Sequence, residues 1–289
     1  MRLAGRIETF MLPLVNYRPV NIMRRLLFGC VIFNFLQLFP AIDALYGVQN
    51  SLIATQSLNG FTLTTLVNLL SVDALKSYYM LFFMVQLCFA FMGMLGFWPR
   101  VSSFVVFFTT INLQNRIYPT LTGGDVLLCL MLFYTGFISE GKKLQNEHFN
   151  QVQNAFNRIF TWLCKIQLVI VYAISAIYKL QSPQWLDGSA VQQLLLINEY
   201  SFPALQRAVC AAPFLFKLLT WLVLLYQLAF PLLVFVKRVK KYLLFSGVVF
   251  HFFIAFAMGL FNFSLVMICC YAVFYDFEEK TALNNEAFS

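Results

Sequence analysis

The stretch IFTWLCKIQLVIVYAISAIYKLQSPQWLDGSAV, residues 159–191, decides the fold class. Its first 21 residues, 159–179, hold one internal charge, Lys165, and end on Lys179. A membrane-crossing helix needs about 20 mostly apolar residues, so this run reads as a span. The residues that follow it, Trp185 and the Asp187-Gly188 pair, suit a membrane–water boundary, where an amphipathic indole ring is favoured.

Working outward, the same pattern recurs. Eight spans are expected, at roughly 25–42, 76–97, 101–117, 123–140, 159–179, 213–236, 241–258 and 260–276. The third is short and interrupted by polar residues. The last two are joined by a tight turn near Gly259. The connections 43–75 and 180–212 are moderately apolar and read as embedded or interfacial segments. Composition agrees: 61% of residues are hydrophobic, 11% are charged, and mean hydropathy is +0.75. A soluble domain carries about 25% charged residues. The expected fold is therefore all-α, a polytopic transmembrane helical bundle. The expected organisation is a cytoplasmic segment 1–20, a transmembrane domain 21–277 and a short cytoplasmic tail 278–289.

The net charge of +8 does not signal nucleic-acid binding, because the basic residues lie mainly in short inter-helix segments. There they set orientation. Arg2, Arg6, Arg18, Arg24, Arg25, Arg100, Lys142, Lys143, Arg158 and the KRVKK run after residue 236 fall on one side of an eight-span chain. That places both the N-terminus and the C-terminus inside. The N-terminal segment has no signal-peptide pattern. The partner implied by composition is the lipid bilayer, and the expected location is multi-pass in a membrane.

Seven cysteines are present, none in a CxxC spacing, and six fall in apolar runs. They read as small buried hydrophobes. With two histidines, His148 and His251, no metal site is expected.

Polar groups inside spans are costly and point to function. Three segments carry them. In TTINLQNRIYPTLTGGDVLL, residues 109–128, Thr109, Asn112 and Arg116 share one helical face. Tyr118-Pro119 ends that helix, Gly123-Gly124 permits a tight re-entry, and Asp125 begins the next span. The plainer reading is a helix cap with an Arg116–Asp125 pair. In the stretch quoted first, Tyr172, Ser175 and Lys179 share a face at i, i+3 and i+7. Lys179 is either an anchor reaching the headgroups or a buried amine able to act as a base. Asp187 is either part of that site or a cap for a helix beginning near Ser189. In VVFHFFIAFAMGLFNFSLVMI, residues 248–268, His251 lies about 15 Å into its span at roughly 1.5 Å per residue. Ala255, Met258 and Asn262 continue its face, and a histidine there needs a hydrogen-bond partner. Gln37, Gln86, Gln167 and Gln227 read as interhelical hydrogen-bonding groups.

Taken in order, RRLLFG, NLQNRIYPTLTGGDVLL, YKLQSPQWLDGSAV and HFFIAFAMGLFNFSLVMI resemble the HTTM family, the membrane domain shared by vitamin K-dependent γ-glutamyl carboxylase and many bacterial proteins. The resemblance spans roughly residues 20–276. It implies an integral membrane enzyme, or enzyme-like subunit, with an outward-facing intramembrane cavity and carboxylase/epoxidase-like (lyase) or peptide-maturation activity. It implies a vitamin K-type (hydro)quinone cofactor, with Lys179 at the position of the base that deprotonates it and His251 in the same cavity. Asn112, Arg116, Asp125 and Trp185 match motif positions without assigned steps.

The chain also departs from the family. It ends about a dozen residues after its last expected span, so the carboxylase's substrate-recognition portion is expected to be absent. Gln227, in LLYQLAF, stands where many members have a glutamate, which speaks against glutamate carboxylation. Short bacterial members include a protein similar to the sporulation-delaying toxin maturation protein B. That likeness implies a secreted peptide substrate, a small partner subunit and a bacterial inner (plasma) membrane. The alternative is a non-catalytic membrane scaffold or transporter.

Overall fold

The computed structural model describes residues 17–47, 76–140 and 146–275. The expected tail 278–289, most of the connection 43–75 and the charges Arg2, Arg6, Lys142 and Lys143 lie outside the described residues. The described chain is all-helical, with no strand. Its helices are α1 (Arg18–Leu38), α2 (Ile42–Tyr46), α3 (Tyr79–Leu95), α4 (Pro99–Arg116), α5 (Gly123–Phe137), α6 (Glu147–Leu180), α7 (Pro183–Asp187), α8 (Ala190–Leu195), α9 (Pro203–Ala211), α10 (Pro213–Leu233), α11 (Lys237–Met258) and α12 (Phe261–Cys270).

Among the described residues, four helical stretches are long and apolar enough to cross a membrane: Arg18–Tyr46, Glu147–Leu180, Pro213–Leu233 and Lys237–Met258. Tyr79–Leu95, Gly123–Phe137 and Phe261–Phe274 are apolar but shorter. At 1.5 Å per residue, the 15 residues of α5 reach about 22 Å, less than a hydrocarbon core of about 30 Å. The outer surface carries large exposed apolar side chains, among them Leu36, Leu95, Phe214, Leu232 and Phe256. In water such a surface would aggregate, whereas in lipid it is ordinary. The helices are compatible with membrane insertion.

α12 sits centrally, packed on α1, α5 and α11. α1, α3, α4 and α5 pack among themselves, and α6 packs on both α5 and α10. The 180–212 connection is ordered as α7, α8 and α9 and is tied to α10. Trp221 Nε1 donates to Leu186 O at 3.1 Å, and Thr220 Oγ1 accepts from Val191 N at 3.1 Å.

Two details correct the sequence reading. α1 begins at Arg18, inside the segment expected to flank the membrane, and Arg24 is buried within the bundle at 2% exposure. Gly123-Gly124 forms no turn: both lie in the first turn of α5, after a Thr122 cap. Their partners differ, because a Cβ on Gly124 would meet the Phe263 Cα at 2.7 Å, while one on Gly123 would meet only the Phe263 ring at 4.0 Å. Of the cysteines, Cys88 and Cys210 are exposed and the other five are buried. Gln86 behaves as expected, donating from α3 to Thr110 Oγ1 on α4 at 2.8 Å.

Candidate functional site

Regular helical spacing carries Tyr172, Ser175 and Lys179 down one face of α6. All three line a cavity of about 250 Å³. α6 and α10 supply two of its walls, with Val171 on the first and Val223 and Gln227 on the second. α11 supplies Phe250, His251, Phe253 and Ile254, and Trp185 closes it from α7. Thus Lys179, His251, Tyr172, Trp185 and Gln227 are brought together from four helices. Apart from Lys179, His251 and the few hydroxyl and amide groups, the walls are apolar.

At one end, Lys179 Nζ donates to Ser175 Oγ at 2.8 Å and lies 4.8 Å from the centre of the Trp185 ring. Ser175 Oγ donates in turn to Gln227 Oε1 at 3.2 Å. A cation over an indole face is favourable, the more so away from water. Lys179 is half-buried. At the other end, two helical turns and roughly 10 Å along α6, Tyr172 OH meets His251 Nε2 at 2.7 Å. His251 is 1% exposed. Its expected partner is therefore Tyr172.

The remaining expected residues lie elsewhere. α11 ends at Gly259, whose φ of 69° turns the chain in a left-handed step that glycine adopts without strain. Asn262 therefore does not continue the His251 face. With Asp125 it lines a second cavity of about 310 Å³, which includes Gln37, Gln86 and Gln114. The two cavities share Leu260 and Phe263. Asp125 accepts from Thr122 N at 2.8 Å and Thr122 Oγ1 at 2.7 Å, closing a capping box. It also accepts from Asn262 Nδ2 at 2.8 Å. Asp125 thus links α5 to α12, and the Arg116 guanidinium lies 5.8 Å from the centre of the Tyr79 ring. Asn112 is fully buried, bonds Phe108 O at 2.9 Å within α4 and lines neither cavity. Asp187 is exposed and accepts from Ser189 N at 2.8 Å. Ser189 is the N-cap residue of α8, and its bonds hold the Asp187 carboxyl below the usual range.

Two residues were not singled out in the sequence. Tyr271 OH bonds Tyr172 OH, and Tyr226 OH lies 3.0 Å from Tyr271 OH. A tyrosine inside an apolar run must find a partner for its hydroxyl, and that is the signal that could have found them. Gly247 of α11 makes room for the pair, since a Cβ there would fall on both hydroxyls. Gly247→Ala is expected to cost about 1–3 kcal/mol, the usual range for overpacking, and to lower the thermal midpoint of the solubilised protein. An unchanged midpoint would show that the tyrosines can retreat freely.

An all-helical bundle with membrane-length apolar helices defines the class, and within it lies an apolar cavity with a lysine–tryptophan pair at one end and a histidine–tyrosine pair at the other. Over 193 residues the chain is 26% identical to the uncharacterized protein YitO of Bacillus subtilis (strain 168). The match takes in 60% of this chain and 59% of that protein, so it spans about three-fifths of its curated relative. No family model matches the chain, and no solved structure does.

Proposed function

We propose that this is an HTTM-like, multi-pass protein of a bacterial inner membrane, with eight crossing segments and both termini inside. Its apolar cavity takes a lipid-soluble ring compound of the quinone type, or a segment of an exported peptide, and Lys179 acts on that ligand as a base. Glutamate carboxylation is not part of the proposal, since Gln227 cannot supply a carboxylate.

One observation carries the reading. A single cavity gathers Lys179 and Trp185, from one motif of the sequence, with His251 from another. A half-buried amine beside an apolar pocket is suited to deprotonating an acidic hydroxyl. The second reading, a non-catalytic scaffold or transporter, also has an observation in its favour: Ser175 and Trp185 already match the amine, as they would a structural anchor.

Two substitutions separate the readings. Wild type, Lys179→Ala and Lys179→Arg would be purified in detergent and compared by mass spectrometry, for bound quinone and for modification of a co-expressed exported peptide. General-base catalysis contributes about 10²–10⁴-fold, so Lys179→Ala is expected to lose modification by at least about 100-fold. Lys179→Arg keeps a cation over Trp185 but cannot be deprotonated, so it should be equally inactive. Wild-type behaviour of the arginine variant would sink the base and leave the anchor.

A further inference from the structure

In a membrane bundle, side-chain amides usually bond across helices. Gln86 and Asn262 do so, with Thr110 and Asp125. Asn34 and Gln37 of α1 do not, although Gln37 reads in the sequence as a group of that kind. They lie at i and i+3, on one face of the helix, and both line the cavity of about 310 Å³. Among the described residues neither amide has a hydrogen-bond partner. Neither is sealed inside the protein, since Asn34 is half-buried and Gln37 exposed. Asn34 sits about 24 Å along α1 at 1.5 Å per residue, inside a stretch long and apolar enough to cross a membrane. An unmatched amide there is costly, so the cavity calls for a polar occupant. Water meets that need when nothing else is bound.

The lining decides which ligand can take the place of that water. Among the described residues it holds no lysine, arginine or histidine, which disfavours an anion. The carboxylate among them, Asp125, is already met by Thr122 N, Thr122 Oγ1 and Asn262 Nδ2, so it does not await a cation. An apolar ligand would displace the water and leave the Asn34 and Gln37 amides bare. What remains is an uncharged molecule with several polar groups. A side-chain amide presents a donor and an acceptor side by side, and a hydroxyl both donates and accepts. Two neighbouring hydroxyls therefore match one amide. The remaining walls include the flat rings of Tyr46, Phe83, Phe261 and Phe263. The face of an aromatic ring is negative and favours C–H groups. A sugar or cyclitol ring carries both surfaces, hydroxyls around its rim and C–H groups on its faces.

We propose that this second cavity is a binding site for a neutral polyhydroxy ring, a sugar or cyclitol, held by the Asn34 and Gln37 amides against the aromatic walls. The site is distinct from the Lys179 cavity, with which it shares Leu260 and Phe263. It does not depend on Lys179 being a base, nor on any ligand of that other cavity.

The full chain would be placed in lipid nanodiscs free of sugar-based detergent. Saturation-transfer NMR would follow titrations with methyl glucoside, methyl galactoside, methyl mannoside and myo-inositol. At least one should bind. Tetrahydropyran-2-methanol, a similar ring without neighbouring hydroxyls, should bind at least about 10-fold more weakly, the equivalent of one or more net hydrogen bonds. Asn34→Leu and Gln37→Leu should each weaken the bound polyol by about 3- to 10-fold. Thermal melts check that both variants fold, and the exposed Gln37 can be replaced without disturbing packing. 1-Naphthol, an apolar ring probe for the Lys179 cavity, should not displace the polyol. Binding of none of the four polyols, equal binding of the ether, displacement by 1-naphthol, or unchanged affinity in both variants overturns the proposal. Failure of 1-naphthol itself to bind bears on the Lys179 cavity alone.

Discussion

Arg24→Leu is expected to leave no stably folded protein after detergent extraction. Arg24 lies on α1, yet it serves the far end of α5. Its Nη1 donates to Ile138 O at 2.9 Å and to Thr135 O at 3.2 Å, and its Nη2 donates to Asn21 Oδ1 at 2.7 Å. The last carbonyls of a helix have no partner within it, and a cation there also favours the helix dipole. Leucine fills part of the space and removes the Arg24 donors from Ile138 O and Asn21 Oδ1, while Thr135 O keeps its bond from Ile138 N at 3.1 Å. At about 1–3 kcal/mol for each buried group left unsatisfied, the loss is on the order of 3 kcal/mol or more. That is a large share of the 5–15 kcal/mol typical of a folded domain. α6 holds the same place, where Asn157 Oδ1 accepts from Ser139 N at 2.8 Å and Asn157 Nδ2 donates to Ser139 Oγ at 2.8 Å. Arg24 therefore helps fasten three helices at one end of the bundle. Arg24→Lys should fall between wild type and leucine, because a single ammonium does not reproduce the planar fork of donors. Size-exclusion profiles and thermal melts of the three proteins test this. A leucine variant that melts with wild type would remove Arg24 from the fold's stabilising contacts.

Arg24 also shows where the sequence stops being legible. The uninterrupted apolar run begins at Leu26, just after the Arg24-Arg25 pair, so hydropathy starts the first span near residue 25 and counts both arginines with the flanking charges. The partners of Arg24, the carbonyls of Thr135 and Ile138, lie more than 100 residues away, and no local pattern reveals them. The Tyr172–Ser175–Lys179 face was legible for the opposite reason: one helix of regular period fixes which side chains align. The meeting of that face with His251 was readable only as an expectation from motif order. The division of the polar residues into two cavities was not readable at all. It depends on the step at Gly259, which sends Asn262 toward Asp125 and leaves Met258 beside His251. Sequence shows that a glycine is present, but it does not show which way the chain leaves it.

Gly124→Val should destabilise the fold and disturb the Lys179 cavity, which Gly124 does not line. The added Cβ would meet Phe263 Cα at 2.7 Å, Cδ2 at 3.1 Å and Cβ at 3.2 Å. A ring can rotate away, but a Cα moves only with its helix, so α5 and α12 must separate. Overpacking of this kind costs about 1–3 kcal/mol, and the two γ-methyls of valine put the cost at the upper end. The displaced segment carries Phe263, which walls both cavities, and Asn262, which holds Asp125. Binding of 1-naphthol should therefore weaken along with thermal stability. Gly123→Ala is the matched control. Its Cβ meets only a ring atom at 4.0 Å, and alanine is better than glycine inside a helix by roughly 0.5–1 kcal/mol. It should melt at or slightly above the wild-type temperature and bind the probe unchanged. If the two substitutions behave alike, the pair acts through backbone freedom, as a turn would require. If they diverge as expected, Gly124 is small because another helix's backbone passes beside it, and the spacing of α5 and α12 shapes the cavity from behind.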